Sequence, residues 1–323
     1  MKAIVQDRFG SADVLELRDV PDPVVGENDV LVQVRAAGCG PDVWHLMEGK
    51  PYLARLSPEV RKGVKAPRGW DVSGLIETVG ANVKDLRPGD EVMGVVKGSF
   101  AELAAGPADK LVRKPTKISF EEAAAVPVSG CTALQALRDH ADVQPGQSVL
   151  VIGAGGGVGT LTVQIAKAFG AQVTAVCSES KADLVRSIGA DDVIDYSRED
   201  FADRRRTWDV IIDTAGRRPL HQLRRALTPT GTLVIVGGDG GGNWTGGFFR
   251  GILRGPLLSL FTRQRLRAFV AKETHEDLEA LRLLIEEGKV TPVVGRTFAL
   301  PEAREAVRLL GQGHSTGKIV VTT

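Results

Sequence analysis

The run Gly153-Ala-Gly-Gly-Gly-Val-Gly159 combines the residue type and the spacing needed to hold a phosphate. It follows a short apolar stretch, Ser148–Ile152, and precedes a segment where Leu161, Ile165, Ala168 and Phe169 recur at helical spacing. Glycines at 153, 156 and 159 permit a tight turn out of a strand, close approach of backbone to a pyrophosphate, and tight packing of the next helix. The start of that helix then presents N–H groups and a partial positive charge. Strand, loop and helix in this order predict a dinucleotide site, with a ligand-free glycine turn as the alternative. The next strand ends Val176-Cys177-Ser178, followed by Glu179. Its end positions carry no acid to bind ribose hydroxyls, whereas Ser178 and Lys181 suit a 2′-phosphate by hydrogen bonding and charge. Lys181 also reads as a solvated helix residue. NADPH is favoured, and Glu179 leaves NADH open.

Such a loop needs a sheet behind it. Short apolar runs at Val173–Cys177, Val193–Asp195, Val210–Asp213 and Leu233–Val236 alternate with helical patterns. That alternation implies an α/β fold, a doubly wound parallel sheet covered on both faces. Gly170 ends the helix after the loop. The first 120 residues read differently: Val30–Arg35 alternates at period two, Arg87-Pro-Gly-Asp90 and Gly94 mark turns, and Leu111–Arg113 is a short strand. They predict a small β-rich, barrel-like unit. Ser119 and Glu122 have the spacing of a capping box and open a helix. Helices at Asp277–Glu287 and Ala303–Leu310 and a strand at Lys318–Thr322 close the chain.

Composition narrows the classes. A chain of 323 residues fits two domains at roughly 100–200 residues each. With 43% apolar and 25% charged residues it is not a disorder candidate. Of 38 glycines, five fall in 153–159 and seven in 237–247, so the surplus marks backbone sites and not low complexity. A net charge of +1 argues against a dedicated nucleic-acid partner. Cys39, Cys131 and Cys177 are far apart with no CxxC pair, which excludes a disulfide framework and a Cys-rich structural zinc site. This usage fits a reducing cytoplasm. The N-terminus MKAIVQDRFG has no apolar core and no run of roughly 18 apolar residues follows, so neither export nor a membrane span is expected.

Ordered motifs extend the reading along nearly the whole chain: Ala36-Ala-Gly38, Gly69-x-x-x-x-Gly74, Val83-x-x-Leu86-x-Pro-Gly-Asp90, Ala123–Pro127, Gly130-x-Thr-Ala133, the 153–159 loop, Leu184-x-x-x-Gly-Ala-Asp191 and Gly317-Lys318. The sequence resembles the medium-chain dehydrogenase/reductase superfamily, in its zinc-independent quinone oxidoreductase (zeta-crystallin-like) branch. The resemblance implies a GroES-like catalytic domain, residues 1–122 with a C-terminal return at 270–323, around a Rossmann NADPH domain at 123–269. It places Thr132, Gly156, Gly157, Val158, Gly159, Ser178, Lys181 and Tyr196 at the cofactor. Gly153, Gly216, Gly237 and Lys318 complete that set. It also implies a homodimer that passes hydride to a quinone or an α,β-unsaturated carbonyl. The alternatives are a zinc-free alcohol or carbonyl dehydrogenase and a low-turnover NADPH-binding protein. Arginines and aromatics interleave between Asp239 and Glu273, including Arg250, Arg254, Trp244 and Phe248. Such a basic amphipathic stretch can lie on a membrane surface, but the resemblance implies instead a cleft cover that leads into a strand pairing across the dimer.

Two departures from the family pattern bear on the chemistry. Zinc-dependent relatives carry Gly-His-Glu where this chain has Gly69-Trp70-Asp71, and Cys39 falls one residue short of the ligand cysteine, so no catalytic zinc is expected. Gly40 stands where the branch has an asparagine at the nicotinamide end, which leaves substrate polarisation open. Hydride transfer builds negative charge on the acceptor, and without a metal another group must stabilise that charge or deliver a proton. Tyr52 is the first candidate; a packing tyrosine in a surface loop is the alternative. Asp42 and His45 share its loop, and His45 reads first as a structural histidine. A quinone accepts hydride readily and takes its proton from solvent. Tyr52→Phe is therefore expected to leave quinone turnover intact and to lower enone reduction in steady-state assays. Equal relative rates on both substrates would remove the donor role.

Overall fold

Alternation in the N-terminal sequence builds a sheet, and the last strand of the chain returns to complete it. The computed structural model describes residues 1–50, 52, 55, 66–203, 206–237, 262–313 and 315–323. The chain divides into two units: Met1–Cys131 with Glu273–Gly288 and Pro292–Thr323, and Thr132–Lys272 with Lys289–Thr291.

In the first unit, β1 (Lys2–Val5) and β2 (Glu16–Asp19) form an antiparallel pair. A larger sheet contains β3 (Asp29–Cys39), β4 (Asp71–Val79), β5 (Glu91–Val95), β6 (Leu103–Pro107), β7 (Leu111–Arg113), β14 (Val294–Ala299) and β15 (Lys318–Thr322). Its order is β14-β15-β3-β4-β5-β7, with β6 also paired to β3. The alternating run lies inside β3, where Val30, Val32 and Val34 are buried while Gln33 and Arg35 are exposed. Val32, Val72, Ile76, Val92, Leu111 and Ile319 meet in one apolar core. β15 lies antiparallel to β3 with Ile319 opposite Cys39 and Val320 opposite Gly38, so Lys318 sits at the far end of β3. The helix Pro41–Glu48 begins directly after that end, with Gly40 as its N-cap. The capping box forms as expected: Ser119 Oγ accepts from Glu122 N at 3.2 Å, and Ser119 N donates to the Glu122 carboxylate at 2.8 Å.

The second unit holds β8 (Ser148–Ile152), β9 (Gln172–Cys177), β10 (Asp192–Asp195), β11 (Trp208–Asp213), β12 (Leu227–Ile235) and β13 (Arg265–Ala268). Every pairing is parallel and the order is β10-β9-β8-β11-β12-β13. Numbered within this sheet the order is 3-2-1-4-5-6, the Rossmann arrangement. Val149, Leu150, Val151, Ile211, Ile212, Leu233 and Val234 are fully buried, as a parallel sheet covered on both faces requires. The connection reverses between β8 and β11, and ligands of such sheets bind beyond the carboxyl ends at that point.

β12 departs furthest from its expected extent, while β3 runs four residues beyond Arg35 and β11 starts two residues early. β12 starts at Leu227, not Leu233, and runs through Pro229 and Gly231. Leu227 pairs with Trp208, and a register shift between Trp208 and Val210 accommodates the irregular stretch, which leaves Pro229 exposed. Residues 238–247 of the second glycine stretch lie outside the described residues, as do Arg250, Arg254, Trp244 and Phe248 of the basic segment. No helix among the described residues is long and apolar enough to cross a membrane.

Candidate functional site

The glycine loop leaves β8 by a turn that only glycine adopts without strain, with Gly153 at φ +82°. Gly153 N and Ala154 N both donate to Val176 O at 3.1 Å, which fastens the turn to the neighbouring strand β9. The helix Gly157–Ala168 then starts at Gly156. Its first ladder bond runs from Thr160 N to Gly156 O at 2.9 Å, so the N–H groups of Gly157, Val158 and Gly159 have no acceptor within the helix. The glycines divide by what a side chain would meet. A Cβ on Gly159 would overlap Gly153 O and lie 2.7 Å from Ala154 Cα, so this position is closed by the fold itself. Among the described residues, a Cβ on Gly156 would have only Gly153 O near it, at 3.6 Å. Gly156 therefore faces open space, and the space in front of a helix N-terminus suits a pyrophosphate. These residues fit a dinucleotide.

Lys181 reaches back over this loop. Its Cδ lies 2.5 Å from where a Cβ on Gly155 would stand, so its stem covers the glycine face. Burial of that stem lowers the Lys181 pKa. Ser178 follows β9 directly, with its hydroxyl 3.0 Å from that of Ser180. Tyr196 N donates to Cys177 O at 3.2 Å, which brings the exposed Tyr196 ring to the same sheet edge. Ser178, Lys181 and Tyr196 thus share the end of β9 with the loop. Glu179, the residue that left NADH open, is bound by Arg198 at 2.6 Å.

Two later loops close on the same edge. Asp213 ends β11, and its carboxylate accepts from Ala215 N at 3.1 Å and Gly216 N at 2.9 Å. The turn places Gly216 at φ +64°. Burial pushes Asp213 up to about 6, against the pull of these two amides. Thr214 Oγ1 donates to Ile152 O at 2.9 Å and so ties the β11 loop to the end of β8. A Cβ on Gly237 would overlap Thr214 O, so only glycine lets β12 end this close to the β11 loop. Asp213 and Thr214 were not among the expected site residues. An Asp at a strand end followed three residues later by glycine was the available signal. Thr132 lies in the helix Pro127–Gln135, at the first residue of this unit.

The first unit contains a buried charge cluster around the Gly40 departure. Lys318 Nζ lies 2.7 Å from Asp71 Oδ2 and 3.1 Å from Ser129 Oγ, and Asp71 Oδ1 accepts from Val128 N at 2.7 Å. Burial works against the Lys318 charge, but Asp71 and Asp42 together outweigh it and raise its pKa. Burial raises Asp42 to about 6, opposed by Lys318 and assisted by Asp71. A Cβ on Gly40 would overlap Asp42 Oδ1 and lie 3.2 Å from Lys318 Nζ. The space of the family asparagine is thus taken by this chain's own acid and base. Cys39 is buried beside them, and burial, then Asp42, push its thiol pKa up. Trp70 lies under Lys97, 5.5 Å from ammonium to ring centroid. Tyr52 stacks under the Arg55 guanidinium at 4.7 Å, and Arg55 bonds Gly49 O and Glu48 O, both at 2.8 Å. Asp71 and Arg55 were also outside the expected set, because their partners are set by the fold and not by spacing.

Comparison with known proteins agrees with both units. A family model described as alcohol dehydrogenase GroES-like domain matches residues 26–116, and one described as zinc-binding dehydrogenase matches residues 188–321. The chain is 34% identical over 336 residues to the 2-methylene-furan-3-one reductase of Solanum lycopersicum, covering 99% of this chain and 79% of that protein. It is likewise 34% identical over 336 residues, with the same coverage, to the chloroplastic NADPH-dependent alkenal/one oxidoreductase of Arabidopsis thaliana. The quinone oxidoreductase structure from Coxiella burnetii matches with a TM-score of 0.88 at 31% identity, over 100% of this chain and 99% of that one. A GroES-like unit and a Rossmann unit with this loop define a dehydrogenase/reductase of the dinucleotide-dependent class. Within that class, the chain belongs to the medium-chain dehydrogenase/reductase superfamily, in its zinc-independent quinone oxidoreductase branch.

The two glycine environments give opposite expectations. Gly156→Ala should cost at most about 1 kcal/mol of stability and abolish measurable NADPH binding by calorimetry. Gly159→Ala should lower stability itself, by about 1–3 kcal/mol in urea unfolding. In the other unit, Asp71→Asn leaves a buried ammonium without its carboxylate and should cost about 3–5 kcal/mol, most of it recovered in Asp71→Asn/Lys318→Met. Asp42 and Asp213 add a pH dependence. Their folded pKa, about 6, lies above the unfolded value of 3.8, so the folded chain takes up these protons first. Their contribution to stability is present at low pH and is lost as pH rises through 6. Asp42→Asn should flatten that decline in urea unfolding between pH 4 and 7. An unchanged slope would contradict the assignment.

Proposed function

We propose that this protein is an NADPH-dependent, zinc-independent oxidoreductase that reduces a quinone or an α,β-unsaturated carbonyl. One observation carries the reading: the open face at Gly156, before a helix N-terminus and beside Lys181, at the switch point of a 3-2-1-4-5-6 sheet. Bound NADPH supplies the hydride. The N–H groups of Gly157, Val158 and Gly159 hold the pyrophosphate, and Gly153 and Gly156 let the backbone approach it. Ser178 and Lys181 hold the 2′-phosphate, and Tyr196 flanks the adenosine. Gly216 and Gly237 keep the later loops low enough for the cofactor to cross the sheet edge, with Thr132 beside it. Lys318 supplies a fixed positive charge, held in place by Asp71 and Ser129.

Tyr52 donates the proton when the acceptor is an enone. Support for that role comes from Arg55, whose contacts with Glu48 O and Gly49 O hold the tyrosine ring in one place. The protein acts in the cytoplasm as a homodimer. β13 supports the dimer: among the described residues it is the terminal strand of its sheet, and a terminal strand edge is a template for pairing with a second copy.

Loss of NADPH absorbance with a panel of quinones, enones and aldehydes tests the reading. Consumption with quinones or enones is expected. Consumption with aldehydes alone would make the protein a carbonyl dehydrogenase, and binding without consumption on all three would reject the enzyme.

A further inference from the structure

Two carboxylates stand at the sheet edge where the adenosine ribose of a bound dinucleotide would lie. Glu179 comes directly after Ser178, and Asp195 is the register partner of Cys177 at the end of β10. A carboxylate at this edge binds a ribose diol and repels a 2′-phosphate. Arg198 answers both acids: its Nη2 lies 2.6 Å from Glu179 Oε2, and its Nε lies 3.6 Å from Asp195 Oδ2. The loop that carries it is fixed at several points. Ser197 N and Ser197 Oγ donate to Asp195 Oδ1 at 3.0 and 2.9 Å, Arg198 N donates to Asp195 O at 3.1 Å, and Tyr196 N bonds Cys177 O. The Arg198 side chain is still 66% exposed, so part of its donor fork faces solvent. Lys181 is the second cation at this edge. With Arg198 present the two acids and two bases balance; without it the edge carries a net negative charge.

We propose that Arg198 is a specificity-determining residue: by pairing with Glu179 it turns an edge suited to a ribose diol into one that accepts a 2′-phosphate. The proposal rests on the dinucleotide reading above and deepens it. It makes Glu179, and not the loss of an arginine contact alone, the source of discrimination when Arg198 is removed. That distinction is measurable in a double-variant cycle.

Isothermal titration calorimetry with adenosine 2′,5′-bisphosphate and with 5′-ADP tests it on the wild type, Arg198→Ala, Glu179→Gln and Arg198→Ala/Glu179→Gln. Arg198→Ala should weaken the bisphosphate about tenfold or more, as loss of a charge-assisted contact and exposure of an acid require, and should leave 5′-ADP nearly unchanged. The double variant should regain most of that loss. The pair is solvent-exposed, so the melting temperature of each variant should stay within about 2 °C of the wild type. An unchanged bisphosphate-to-ADP ratio in Arg198→Ala overturns the proposal and leaves the dinucleotide reading standing. A loss that persists in full in the double variant also overturns it, since Glu179 would then play no part. A wild type that binds neither probe removes the dinucleotide reading and the proposal together.

Discussion

The absence of side chains where β8, β11 and β12 end is the constraint on which the nucleotide-binding unit rests. Gly159 brings the helix Gly157–Ala168 down onto Gly153 O, and Gly237 brings the end of β12 down onto Thr214 O. A Cβ at either place would force backbone apart. Thr214 then links the β11 loop to Ile152 O, so the three loops form one layer beyond the sheet. The layer leaves one glycine, Gly156, with open space in front of it. Tight packing beneath and an open face above are separate demands, met by different glycines of one motif.

The other unit answers a different problem with charge. β15 brings Lys318 to the end of β3, where Asp71 and Asp42 wait in a low-dielectric surround. Burying an ammonium is costly unless it is paired and hydrogen-bonded, and Asp71 and Ser129 meet both conditions. At position 40 a side chain would meet the ends of Asp42 and Lys318. A family asparagine there would compete with Asp42 and Lys318 for the same volume.

Much of this was legible before any coordinates. β7, β8 and β15 have the extents that apolar runs and turn residues assigned, and the Ser119 capping box forms as its spacing required. These are local features, decided by residues within a few positions of one another. The glycine loop was legible for the same reason. β12 begins six residues before the apolar run Leu233–Val236 because Leu227 pairs with Trp208, which is a tertiary contact. The Lys318–Asp71 pair, the Arg55 stack on Tyr52 and the Arg198–Glu179 pair left no periodic trace in the sequence. Each joins residues whose proximity is created by strand order or loop path.

Deuterium transfer tests the central claim most directly. The protein would be incubated with an enone and NADPH labelled at one of the two C4 positions, and the product examined by mass spectrometry. A dinucleotide held in one orientation should deliver label to the β-carbon from one of the two labelled forms only. Reduced product with no label from either form would show that the hydride does not come from the nicotinamide, and would contradict the account.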